Sequence, residues 1–218
     1  MERDRVLFVI GDAVGSKRDS AGTAEWLRAL AVDLNGAYGE ACVAAWEFTR
    51  GDEVRGMLRP DSDPLAVVLR SALAEAARPM RWALALGEVD RDGVEATAAD
   101  RTGPAVLAAE RMVGEAKRRR VRLVVDTGDT DANAILEGIA PAFMDMLAEL
   151  TPTQRHVARL AIIDGLRQSE VADRLKVRRA TISVSFARAR VASIEGLAGA
   201  VRKLCARLPV EREGQPLD

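Results

Sequence analysis

Two carboxylates stand where a chain could hold a cation. Asp12 closes the apolar run Val6-Leu-Phe-Val-Ile10, and Asp52 sits in the tight turn Thr49-Arg-Gly-Asp-Glu53. Paired at the ends of adjacent strands, they suit a hard ion such as Mg²⁺, which bridges phosphates and takes few protein ligands. Glu53 and Glu88 would add negative charge to the same pocket. The competing reading makes Asp12 a loop cap and Asp52 a turn residue. Gly15-Ser16-Lys17 would hold a phosphate through backbone amides and the ammonium, although the spacing is not that of a Walker A loop. The alternative is an ordinary exposed loop. Lys117-Arg-Arg-Arg120 reads as a solvated helix end, where cations suit the dipole, or as a contact for nucleic acid or an acidic partner. The single histidine, His156, has no Cys or His at metal-ligand spacing, and no nucleophile motif accompanies it. Hydrolase chemistry of the Ser-His-Asp or Cys-His kind therefore has no supporting motif.

The second set of chemistry-bearing residues belongs to residues 150–190. Thr151 is an N-cap and Pro152 takes the first helical position, where its missing N–H is harmless. Val157, Leu160 and Ala161 line one face, and Asp164-Gly165 breaks the helix. A short helix with Ser169 near its start buries Val171, Ala172 and Leu175. Lys176-Val177-Arg178 makes a turn, with Val177 expected to be the buried pin. A third helix opens near Arg179 or Ala180 and buries Ile182, Phe186 and Ala189. This is the layout of a helix-turn-helix. Gln168, Ser169, Arg178, Arg179, Thr181, Ser183, Ser185 and Arg188 form its expected DNA-contacting set. Arg reaches guanine O6 and N7, and Ser and Thr reach phosphates or bases.

Charge distribution agrees with that division of labour. The 218 residues carry a net charge of −1. Residues 151–208 hold 12 Lys/Arg against 4 Asp/Glu, and residues 1–150 hold 19 against 26. A basic C-terminal segment behind an acidic one points to a polyanion facing the C-terminal part alone. Hydrophobic residues make up 48% and aromatic residues 4%, so the core must be built mainly of Ala, Leu and Val. No secretory signal and no apolar stretch of bilayer length is expected, and Cys42 and Cys205 read as buried thiols of a cytoplasmic protein.

The elements that must position these residues follow in order. The run 6–10 is a buried strand, and 23–35 is an amphipathic helix with Trp26, Leu27, Leu30 and Leu34 on one face. Segments 42–48 and 54–58 form a hairpin. Asp61-Ser-Asp-Pro64 caps a helix through Val67 and Leu73, and 81–86 is a strand. A helix spans 103–118, a strand 121–125, and a helical segment 132–149 leads to Thr151. The expected class is α+β: a ferredoxin-like palm domain with helices on one face, followed by an all-α helix-turn-helix domain. The expected divisions are 1–130, a helical linker 131–150, a DNA-binding unit 151–208 and a disordered tail 209–218.

Two resemblances add to this. Leu-Thr-Pro-x-Gln-Arg at 150–155, Glu-Val-Ala-Asp-Arg-Leu at 170–175 and Thr-Ile-Ser at 181–183 resemble region 4 of bacterial sigma factors and related response-regulator domains. Lys176 stands where those families carry Gly, which implies a left-handed backbone at a residue with a Cβ. Ile10 to Lys17, Gly51 to Leu58, Leu86-Gly-Glu88 and Gly103 to Arg111 look like the SatD family, bacterial proteins with a palm-like domain and a C-terminal helix-turn-helix. The palm part is more distantly similar to class III nucleotide cyclases and diguanylate cyclases. That similarity implies two metal ions on Asp12 and Asp52, and a nucleotide held by Asp12, Gly15, Ser16, Lys17, Asp52, Glu53 and Arg111. Leu107 replaces the cyclases' helix Asn and Phe48 their purine-selecting Lys, which argues against turnover.

The reading that unites these features is a DNA-binding transcriptional regulator. Its palm-like domain senses a nucleotide, with Mg²⁺, or forms a homodimer. One alternative is an active Mg²⁺-dependent cyclase or nucleotidyltransferase fused to a DNA-binding unit. Another is a module that contacts RNA polymerase.

Overall fold

The computed structural model describes residues 2–49, 51–91 and 97–206. Strand β1 (Arg3–Ala13) is the middle of a five-stranded sheet in the order β2-β3-β1-β4-β5. Its apolar run is buried on both faces, as a central strand requires. Helix α1 (Ser20–Tyr38) starts at Asp19, whose carboxylate accepts the Gly22 amide hydrogen at 3.0 Å. The hairpin β2 (Cys42–Phe48) and β3 (Glu53–Leu58) turns through Gly51 at φ 103°, a conformation that favours glycine. Helix α2 (Ala66–Ala72) returns the chain to β4 (Met80–Asp90), which pairs antiparallel with β1.

This βαββαβ path with β1 between β3 and β4 is the ferredoxin-like arrangement, so the α+β class stands. Helix α3 (Pro104–Arg119) then carries the chain to β5 (Leu123–Asp126), which lies parallel to β4. At Gly103, φ is 123° and a Cβ would sit 2.8 Å from the Asp90 amide nitrogen, so the entry to α3 depends on glycine.

The expectation of helices on one face is corrected. Helices α1, α2 and α4 (Thr130–Ala148) cover the Leu7, Val9 and Leu84 side. Helix α3 covers the Val6, Phe8 and Ile10 side through Ala105, Ala109, Met112 and Val113. The reason is the parallel β4-α3-β5 crossover, which a hairpin cannot make and which lays a helix against the sheet.

Four helices follow: α5 (Pro152–Ile162), α6 (Gln168–Leu175), α7 (Arg179–Arg188) and α8 (Val191–Cys205). Helix α8 lies beyond the three helices read from the sequence, and its Val191, Ile194, Ala198, Val201 and Leu204 repeat at helical spacing and are all buried. Its face packs on α4, whose Leu136, Phe143 and Leu147 belong to the same core as the sheet. The residues 209–218 expected to form a disordered tail lie outside the described residues. No helix among the described residues is long and apolar enough to cross a membrane.

Candidate nucleic-acid interface and the Asp12 cluster

Local hydrogen bonds build the helix-turn-helix. The Thr151 hydroxyl accepts from the Gln154 amide at 3.3 Å, and the Gln154 side chain accepts from the Thr151 amide at 2.9 Å. With Pro152 beside them, they close a capping box. Gly165, at φ 68°, ends α5 and lets the Leu166 amide donate back to the Leu160 carbonyl at 3.0 Å. Helix α6 opens where the Arg167 amide donates to the Glu170 carboxylate at 2.7 Å. Lys176 is left-handed at φ 54° and ψ 42°, as its place in the turn implies.

Val177 corrects an expectation, because it is 42% exposed and pins nothing. Its amide instead donates to the Ala172 carbonyl at 3.0 Å, so backbone bonds hold the turn. The buried anchor is Ile182, which joins Leu160, Val171 and Ala172 in a small core that Leu166, Leu175 and Phe186 border.

Helix α7 presents Arg178, Arg179, Thr181, Ser183 and Arg188 to solvent, with Gln168 exposed at the start of α6 and Ser169 half-buried. Ser185 is also half-buried, and its hydroxyl donates to the Thr181 carbonyl at 2.9 Å, so its proton is engaged within the helix. Arg174, Lys176, Arg178, Arg179 and Arg188 have no ion-pair partner among the described residues. In the α+β part, Arg3, Arg55, Arg70, Arg78, Arg81, Arg91 and Lys117 meet carboxylates, while Arg5, Lys17, Arg18, Arg118, Arg120 and Arg122 have no ion-pair partner among the described residues. Three of the five in the helix-turn-helix, Arg178, Arg179 and Arg188, lie on α7 or at its start.

At the other candidate site, Asp12 is fully buried at the end of β1. The Arg81 guanidinium donates to Oδ2 at 2.9 Å, and the Lys117 ammonium lies 2.7 Å from Oδ1. The latter contact is a close ion pair. Burial pulls the Lys117 pKa down, but the Asp12 carboxylate, helped by Glu53 and Asp52, holds it above the ordinary lysine value. Ser16 donates a short hydrogen bond to Asp52, and Glu53 accepts from Arg55 at 3.2 Å. Arg55 also reaches Glu110 at 2.9 Å.

The structure therefore gathers Asp12, Ser16, Asp52 and Glu53 at one end of the sheet. Gly15 is left-handed there at φ 78°, and Lys17 is exposed. Arg111 stands apart, six residues or about 9 Å back along α3 from Lys117, exposed and 3.9 Å from Glu115. Sequence reasoning missed Lys117 and Arg81 as partners of Asp12. A signal existed for Lys117, which lies four residues after the buried Val113 and so on the sheet-facing side of α3.

These side chains do not fit a Mg²⁺ ion as they stand. Both Asp12 oxygens face cations, and among the described residues no group of three or more His, Cys, Asp or Glu could hold a metal.

Residues 107–196 match the family described as ECF sigma factor. The span begins inside α3, takes in β5 and α4, and runs through α5, α6 and α7 into α8, leaving out residues 1–106. No curated protein matches the chain. The helix-turn-helix geometry and this match together place the C-terminal part among DNA-binding, transcription-related domains.

Proposed function

We propose that the protein is a DNA-binding transcriptional regulator that lays α7 in the major groove of a duplex. The observation that carries this reading is the set of unpaired cations around an exposed recognition helix. A cation without a protein partner is free to neutralise phosphate and release counterions, the main source of affinity for duplex DNA. Arg178 and Arg179 stand at the start of α7, where side chains reach base edges. The same reading gives the α+β part the sensing or pairing role. Helix α4 joins the sheet core to α8, so a change at the sheet has a packed path to the DNA-binding face. A two-fold dimer belongs to this proposal, since one helix-turn-helix spans only a few base pairs.

Fluorescence anisotropy with the full chain and labelled duplex DNA over a salt series tests the proposal. Affinity should fall steeply with salt. Arg179→Ala should weaken binding by about 1–3 kcal/mol if it reads a base, and Arg188→Ala should reduce the salt slope by about one if it touches phosphate. Reversing Arg178, Arg179 and Arg188 to Glu together without loss of binding would refute the assignment. Point changes are the right probes here. Removing residues 151–218 would strip α8 from α4 and expose core residues.

A further inference from the structure

At about 100° per residue, α7 has a face that the helix-turn-helix core leaves untouched. Ile182 and Ala189 define the inward side. Ala180, Val184 and Ala187 lie about half a turn away from them, and all three are exposed, Val184 at 50%. Arg179 and Ser183 flank this line on one side, Thr181 and Arg188 on the other. The part of the helix that projects furthest outward is thus apolar, and its polar residues stand at the shoulders.

We propose that Val184 is a specificity-determining residue that reads the C5-methyl of thymine in the major groove. The inference rests on the DNA-binding reading above and names what that face recognises. Among the bases, thymine alone presents a methyl group on the major-groove edge. For an exposed valine on the outermost line of a recognition helix, the thymine methyl is the best-matched apolar group on the major-groove edge. The small side chains of Ala180 and Ala187 let the helix approach closely, with no donor or acceptor of their own to set against a base. The unpaired cations on the shoulders favour a duplex over a protein as occupant, because a phosphate backbone lies on both sides of a groove. Arg179, Ser183, Thr181 and Arg188 are placed to hold those walls while Val184 meets the floor.

The experiment takes a randomised duplex library through selection with the full chain. The enriched duplex is then resynthesised with deoxyuridine for thymidine, which removes only the methyl. The expected result is a thymine at one position of the enriched site, and a Kd roughly three- to fivefold weaker for each methyl lost there. Val184→Ala, at an exposed position that leaves the fold intact, should bind the two duplexes within twofold of each other. Enrichment of a site bound equally well with uracil overturns the inference and leaves the DNA-binding reading standing. So does thymine preference that survives Val184→Ala. Failure to select any duplex overturns both. Capture by core RNA polymerase that Val184→Ala abolishes, with no duplex selected, assigns the face to a protein and overturns the inference as well.

Discussion

Asp12→Asn separates the ion-pair account of the sheet end from a metal-binding one. The substitution keeps shape and removes one charge. Asp12 is fully buried, whereas the side chains of Arg81 and Lys117 are 20% and 44% exposed. Breaking a buried ion pair destabilises by about 3–5 kcal/mol when the remaining charge is stranded. Here the remaining charges are the two cations, and both reach water, so part of the loss is recovered by hydration. We expect a destabilisation of about 2–3 kcal/mol, which for a chain of this size lowers Tm by roughly 5–10 °C. Urea unfolding at neutral pH measures it. Lys117 adds a pH signature. Its folded pKa is raised, so its contribution is fully present below the ordinary lysine pKa of about 10.4 and is lost as pH rises through the higher folded value. A loss under about 0.5 kcal/mol, within the range of ordinary surface changes, would refute the ion-pair account. So would millimolar Mg²⁺ that stabilises the parent chain and not Asp12→Asn, with or without added nucleoside triphosphate. That outcome would restore the two-carboxylate site.

Three further outcomes are expected. Thr151→Ala removes half of the α5 capping box and should destabilise the chain by about 1 kcal/mol in chemical denaturation; an unchanged midpoint would contradict the cap. Lys176→Gly relieves a left-handed residue and should raise stability by about 0.5–1 kcal/mol, while weakening duplex binding if the ammonium touches phosphate. Burial, aided by the Asp63 carboxylate, pushes the Cys205 thiol up to about 11. In a Cys42→Ser background, alkylation of the folded protein should therefore be slow at pH 8 and rise with a midpoint near that value, and an ordinary thiol rate at pH 8 would exclude it.

What the sequence determined on its own is whatever is encoded over a few neighbouring residues. The capping of α5 by Thr151 and Pro152 and the break at Gly165 each depend on contacts within about one helical turn, so residue type and spacing sufficed; the left-handed turn at Lys176 was legible only through the family resemblance, since a residue with a Cβ does not itself favour that backbone. The alternation and breaks of 6–58 likewise made the central strand and its hairpin legible. Tertiary structure decided the rest. Arg81 meets Asp12 from 69 residues away, and Lys117 meets it only because α3 covers the second face of the sheet. No local pattern states which face a crossover helix takes, so neither cation beside Asp12 is legible from the residues around it. An apolar residue in the turn, Val177, invites a buried reading that the fold does not support. Backbone bonds already held its turn, and the surrounding core closed over Ile182 instead. The outward line through Val184 also emerged only once burial at Ile182 and Ala189 set the rotation of α7, since an amphipathic pattern gives a period but not the neighbour that fixes its phase.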